Sequence, residues 1–295
     1  MTGGAGFVGS NLVAGLVASG ADVVVVDDFF TGTRRALPDI EIIEGSVTDF
    51  SLMHRMCRRA DLVFHLAARN IIVSTRNPQD DFRVNAGGTL NVLLAARDSN
   101  VQRVVYTSSC SVYGNRTRMP ISENDPVSLL TPYAASKFAG ESYCQAFNTT
   151  YGLPTTVVRY SNVYGPGQRP ENPYCGVISR FLAMDGKPMR INGSGEQTRD
   201  YTYVADIVDA TLLAATTKTG NVYNVATETE TSVNELAALI GGPVEHVGLR
   251  DIDNVSRRSL SYERIKKDLG WQPKVRLEEG LELTRDWMQK RYRCK

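Results

Sequence analysis

The sequence predicts a doubly wound α/β fold, a parallel sheet with helices packed on both faces. Three features carry this expectation: short β-branched runs that are apolar throughout, helical stretches that alternate with them, and a glycine-rich turn at the start of the chain. Runs that are apolar on both faces suit strands covered from both sides. Strand and helix in alternation argue for a doubly wound sheet.

Ala21 to Asp27 (ADVVVVD) is the first such run, and Ile40 to Glu44, Leu62 to His65, Arg103 to Tyr106 and Thr155 to Arg159 read the same way. Helices are expected over Gly9–Ser19, Ser51–Arg59, Asn85–Ser99 and Tyr133–Tyr151. Pro120, Pro126 and Pro132 punctuate a loop before the last of these, and the Gly- and Pro-rich stretch from Gly165 to Pro173 opens a smaller region. The expected division is therefore 1–164 for a nucleotide-binding domain and 165–295 for a region mainly concerned with substrate, with a strand near 190–206 rejoining the first. The second region holds strands near Arg190–Asn192 and Val222–Val225, and helices near Phe181, Ala205–Ala215, Val233–Ile240 and Glu278–Lys290.

Composition narrows the classes open to this fold. The chain has 295 residues, 42% of them hydrophobic, enough for a sizeable core. A net charge of +1 gives no sign of a polyanion partner, so nucleic-acid binding is not expected. No apolar run approaches the ~20 residues of a membrane helix, and the N-terminus does not read as a signal peptide. Cys57, Cys110, Cys144, Cys175 and Cys294 show no C-x-x-C spacing, which fits free thiols in a reducing cytoplasm. His54, His65 and His246 are far apart, so no metal site is expected.

Residues Thr2 to Gly9 read TGGAGFVG. Gly3 can make a tight turn, Gly6 lets backbone approach a pyrophosphate, and Gly9 lets a helix pack closely on the sheet. The helix N-terminus then faces the negative charge. About 20 residues on, Asp27 stands where a carboxylate binds an adenosine ribose and repels a 2′-phosphate. Asp28 follows it, and no arginine comes before Arg34, which favours NAD over NADP. One feature fits badly: the turn should follow a central strand, and only Met1 precedes it. Either the chain begins upstream or an unusual element fills the gap.

Tyr133 and Lys137 stand four residues apart on one face of a predicted helix. A phenol of pKa about 10 is a poor base at neutral pH, and a neighbouring ammonium lowers that value. Lys137 can do this while reaching a cofactor ribose. The run VVYTSS ends in Ser108 and Ser109, where a hydroxyl can hold an oxygen that loses and regains its proton.

With these residues the chain resembles the extended short-chain dehydrogenase/reductases, the NAD-dependent epimerase/dehydratase family. The resemblance runs from Thr2 to about Trp287. It rests on TGGAGFVG, FHLAA (Phe64–Ala68), SSCSVYG (Ser108–Gly114), YAASK (Tyr133–Lys137), RYSNVYGPGQ (Arg159–Gln168), GEQTRDYTYVAD (Gly195–Asp206) and DLGWQP (Asp268–Pro273). It implies that Tyr133 is the base, Lys137 its partner, and Ser109 the hydroxyl on the reacting oxygen. It places Gly3, Gly6, Phe7, Val8, Asp27, Asp28, Val47, Leu66, Ala67, Ala68 and Tyr160 around NAD. Ser109, Cys110, Ser111 and Tyr133 are expected against the sugar. Asn162 and Arg199 resemble contacts to a substrate diphosphate, which a guanidinium suits bidentately, and Gly176, Val177 and Asn192 fall near the nucleotide pocket. Arg257 lies where a second phosphate arginine is common, with Arg258 as the alternative.

Several positions depart from the family pattern. Ser161 stands where Phe is usual, and an Asp is missing near Ser261–Tyr262. In GSVTD, Ser46 replaces the Asp that meets the adenine amine, leaving Asp49 or backbone to do so. Cys110 and Ser111 replace the Asp-Glu pair of family 4,6-dehydratases, and the Glu of UDP-glucuronate decarboxylases is also absent. An elimination needs an extra acid and base, whereas a 4-epimerase needs one acid/base group. The expected activity is therefore that of a UDP-sugar 4-epimerase, of the UDP-glucose/UDP-galactose type or its N-acetylated or uronic-acid relatives. The alternatives are a nucleotide-sugar dehydratase with Cys110 as acid, and an NAD-binding regulatory protein without catalysis. The resemblance also implies a homodimer through the helices after Asn85 and Tyr133, which carry Leu90, Val92, Leu93 and Phe138.

Overall fold

The computed structural model describes residues 1–37, 39–217, 220–250 and 254–292. Its main sheet is parallel and runs, edge to edge, Glu41–Glu44, Val24–Asp27, Thr2, Leu62–His65, Arg103–Ser109, Thr155–Tyr160 and Val222–Val225. Thr2 fills the gap left open by the sequence. Its N–H donates to Phe64 and its carbonyl accepts from Leu66, while Gly3 donates to Val26 and Val26 to Met1. One bridging residue thus joins the two halves of the sheet at the point where strand order reverses, which is where open α/β sheets bind ligands.

Both faces are covered, as the apolar runs require. Val104 and Val157 point into one core with Val92, Leu93 and Ala96. Their neighbours Val105 and Val158 point into the other with Leu12, Ile207 and Tyr223. The helices Phe7–Ala18, Phe50–Cys57 and Pro132–Tyr151 lie close to their expected ranges. The stretch expected as one helix over Asn85–Ser99 is a π-helical turn, Phe82–Gly87, leading into an α-helix, Gly88–Asp98. The turn brings Asn85 against two other segments: its side chain accepts from the Arg69 N–H and donates to Asp81. Val92 and Leu93 are buried inside the subunit, so they contribute no outward-facing surface.

The second region has its own short strands. Asn162–Tyr164 pairs with Tyr201–Tyr203, Met189–Asn192 with Val244–Val247, and Thr198–Arg199 with Thr231–Ser232. The chain returns to the main sheet later than expected: the helix Val204–Thr216 packs on it and Val222–Val225 extends it, while the strand at 189–192 stays outside. Val222–Val225 was legible as a strand but not as a member of this sheet, because its apolar residues are the same in either place. Among the described residues, no helix is long and apolar enough to cross a membrane. Cys57, Cys110, Cys144 and Cys175 are unpaired thiols, and Cys294 lies outside the described residues.

Candidate active site

The strand ends around Thr2 open into a cleft of about 260 Å³. Gly3 turns there with φ +71°, and a Cβ on it would lie 2.6 Å from the Ala67 nitrogen. Gly6 caps the Phe7–Ala18 helix without a side-chain bond, and a Cβ on it would meet only the Gly3 carbonyl, at 3.4 Å. No side chain caps the first N–H groups of that helix, and Phe7, Val8 and Gly9 line the cleft, the arrangement that receives a pyrophosphate. Asp27 ends its strand at the other side. Its carboxylate accepts from the Ala5 and Phe29 N–H groups, both at 2.9 Å, and burial raises its pKa. Phe7, Val8, Asp28, Val47, Leu66, Ala67, Ala68, Tyr133, Lys137 and Tyr160 complete the wall, so each residue expected around the cofactor lines this cleft. A dinucleotide fits the backbone cradle and its acid.

Two details differ from expectation. Asp49 is not available to adenine: it caps the Phe50–Cys57 helix by accepting from the Leu52 N–H, whereas Ser46 lines the cleft. Arg69, which sequence spacing did not single out, also lines it. Its guanidinium pairs with Asp28 at 2.9 Å and Asp80 at 2.8 Å and covers the Phe30 ring at 4.1 Å. The two carboxylates occupy this cation, so it does not offset the preference Asp27 sets against a 2′-phosphate. Its position directly after FHLAA was the available signal.

Thr131 and Pro132 start the helix that carries Tyr133 and Lys137: Thr131 accepts from the Ala134 N–H, and Pro132 needs no partner in the first turn. The Tyr133 phenol lies near Ser109, at the end of its strand, whose hydroxyl bonds that of Ser111 at 3.1 Å. Lys137 is buried and donates to the Thr107 carbonyl at 2.8 Å. The expected lowering of the phenol pKa by Lys137 is not what holds in this state. Burial pushes Tyr133 above its ordinary value, with the nearby Ser109 hydroxyl opposing, and burial pushes Lys137 down to about 8. Tyr133 is thus a neutral phenol at rest. Lys137 lies one turn along the same face of the helix. Behind these groups, Glu141 takes the fork of Arg159 and the hydroxyl of Ser108 in a buried cluster.

A second cavity, of about 660 Å³, opens on the other side of the same strand ends: Tyr160 lines the cleft and Asn162 this groove. Asn162, Gly176, Val177, Asn192 and Arg199 all line it. Arg190, Arg250 and Tyr201 line it as well and were not anticipated. The Asn162 Oδ1 and the Tyr201 hydroxyl are buried without a hydrogen-bond partner, as polar groups meant for a ligand would be.

The sequence profile of the NAD-dependent epimerase/dehydratase family matches residues 1–226. The chain belongs to this family. It is 37% identical to UDP-glucose 4-epimerase of Mycolicibacterium smegmatis over 96% of both chains. Among solved structures, it matches UDP-glucose 4-epimerase of Thermotoga maritima, crystallised with UDP-glucose, at TM-score 0.94 and 36% identity over 98% of each chain. It matches the Thermus thermophilus UDP-glucose 4-epimerase complex with NAD at TM-score 0.91 and 34% identity, covering 98% of this chain and 97% of that one.

Of the expected substrate contacts, Ser109, Cys110, Ser111 and Arg257 line neither cavity. Arg257 lies outside the groove, half-exposed and paired with Glu230 through Nε at 2.9 Å. Arg258 is the buried member of the pair. Cys110 lines neither cavity: it is 4% exposed and packs with Val112, Tyr113 and Leu260. Ser111 stands outside both linings, as does Ser109, to whose hydroxyl the Ser111 N–H donates at 3.1 Å. Cys110 opens a short 3₁₀ turn, Cys110–Tyr113, straight after the strand, and Cys110, Val112 and Tyr113 of that turn are buried.

Proposed function

We propose that this enzyme is a UDP-sugar 4-epimerase working with NAD. The observation that carries the reading is that Tyr133 and Ser109 meet beside the cofactor cleft with no carboxylate at the two positions after Ser109. Cys110, the acid a dehydratase would need, is packed inward, and Ser111 is a poor base. The regulatory alternative leaves the assembled Ser109, Tyr133 and Lys137 without a use.

Gly3, Gly6, Asp27 and the turn at 66–68 would hold NAD, which when bound takes hydrogen from C4 as hydride and returns it. The chain's own residues do the rest. Ser109 holds the C4 oxygen. Tyr133 takes its proton on oxidation and gives it back on reduction. Lys137 supplies the positive charge that makes the phenolate accessible. Arg199 and Asn162 grip the diphosphate, so the keto-sugar can turn its other face without leaving the groove. Incubation with a panel of UDP-, dTDP-, GDP- and CDP-sugars, with products read by mass and NMR, tests this. A C4 epimer of unchanged mass from a UDP-sugar is expected. Loss of water from any of them would overturn the reading.

The enzyme works as a homodimer in the cytoplasm on this reading. Tyr143 and Tyr151 are exposed on the helix after Tyr133 expected at the interface, and the four described cysteines are free thiols. A monomer by light scattering at micromolar concentration would refute the dimer.

A further inference from the structure

One irregular segment, 165–176, walls both the substrate groove and the cofactor loop. It leaves the strand Asn162–Tyr164 through Gly165 and Gly167, whose φ angles of +140° and +96° would strain any side chain, and it enters the helix Val177–Leu182 at Gly176. On its inner side it supplies Tyr174, Cys175 and Gly176 to the groove. On its other side it grips the loop that follows Asp27. Arg169 donates to the Thr31 carbonyl at 3.0 Å, and the Tyr174 ring stacks on Phe30, with centroids 6.1 Å apart and planes 14° from parallel. Phe30 and Thr31 line the cofactor cleft. Phe30 is 44% exposed, so burial does little to hold its ring; the Arg69 guanidinium, 4.1 Å from its centre, and the Tyr174 ring are its neighbours. Behind the segment lies a third cavity, of about 410 Å³, lined by Phe7, Thr31, Arg169 and Tyr174 among others. The segment thus spans a void, tied down where Asn11 donates to the Pro166 carbonyl at 3.0 Å and Ser179 to the Gln168 carbonyl at 2.9 Å.

We propose that segment 165–176 is a strap that holds the cofactor loop closed while the groove is occupied, and that Tyr174 is the positioning residue joining the two sites. The proposal rests on the reading of the groove as the nucleotide-sugar site and adds a regulation of that site. A nucleotide in the groove meets the inner side of the strap at Tyr174, Cys175 and Gly176. Contacts there restrict the ring on which Phe30 stacks, and through Phe30 the loop that carries Asp27. Binding in the groove and retention of NAD then share one coupling free energy. A 4-epimerase has a use for such coupling, because cofactor lost between oxidation and reduction would strand the keto-sugar. The glycines at 165 and 167 give the strap its hinge, and the cavity behind it gives room to move.

The test follows release of NAD from the loaded enzyme, by exchange with isotope-labelled NAD, with and without saturating UDP. In the unmodified enzyme UDP is expected to slow release on the order of 10-fold, the size an aromatic stack supplies. Tyr174→Ala should release NAD at one rate whether or not UDP is bound. Tyr174→Phe, which keeps the ring, should behave as the parent. Phe30 lines the cleft and not the groove, so Phe30→Ala should still bind UDP in calorimetry yet lose the coupling. It decides the matter if Tyr174→Ala does not fold. Release unaffected by UDP in the unmodified enzyme, or coupling that survives in Phe30→Ala, would overturn the proposal and leave the epimerase reading intact. Loss of coupling in Tyr174→Phe would assign the effect to the hydroxyl and equally refute it. Failure of UDP to bind the unmodified enzyme would instead overturn the reading of the groove, and the strap with it.

Discussion

The cofactor cleft and the substrate groove lie on either side of the same strand ends and are built from different material. The cleft wall comes from turns that directly follow strands of the main sheet: 3–9 after Thr2, 27–31 at the end of Val24–Asp27, 45–47 after Glu41–Glu44 and 66–69 after Leu62–His65. Sheet register fixes those residues, and much of what they present is backbone. The groove gathers Asn162, Gly176, Asn192, Arg199 and Arg250 from short strands and loops far apart in sequence, and presents mainly side chains. The comparison separates a rigid seat for an invariant ligand from a surface on which loop residues set which sugar nucleotide is accepted.

Tyr133 lines the cleft and is the acid/base of the proposed reaction, so its removal should have the largest effect. Tyr133→Phe is expected to lower turnover on the order of 10²–10⁴-fold, with NAD retention and UDP affinity unchanged; a near wild-type rate would detach the chemistry from this junction. Next comes the scaffold behind the cleft. Glu141→Ala leaves Arg159 buried without its partner and should cost about 3–5 kcal/mol of unfolding free energy in a denaturant titration. An unchanged midpoint would mean that the pair does not brace the cleft. On the groove side alone, Arg199→Ala should weaken UDP binding by about 1.5–3 kcal/mol in calorimetry, with NAD binding unaffected. Equal UDP affinity in mutant and parent would place this arginine outside the phosphate site. The smallest effect is expected at half-exposed Arg257, whose partner is Glu230. Arg257→Ala should leave UDP affinity as it was, and a loss matching that of Arg199→Ala would return it to the groove.

The same contrast explains how much was legible in the sequence. The cleft could be read almost completely, because Gly3, Gly6, Asp27 and Leu66–Ala68 owe their places to local strand–turn geometry that spacing encodes. Thr2 as a one-residue bridge was not legible, since it depends on hydrogen bonds to two strands at once. In the groove, Asn162, Asn192 and Arg199 were found through motifs, whereas Tyr201, Arg190 and Arg250 were missed because only the pairing of short strands brings them together. Which of Arg257 and Arg258 is buried turns on a single residue of register, which adjacent identical side chains cannot reveal. The mutual effect of Tyr133 and Lys137 was read from helical spacing alone. The depth of burial that raises the phenol and lowers the ammonium belongs to the tertiary structure.

The central claim is that hydrogen leaves and returns at C4 without any elimination. Turnover of the accepted UDP-sugar in deuterated water tests it most directly, with the product examined by NMR and mass. The account predicts a product inverted at C4, of unchanged mass, with no solvent deuterium at C5 or C6. A product lighter by one water and carrying deuterium from solvent would contradict it.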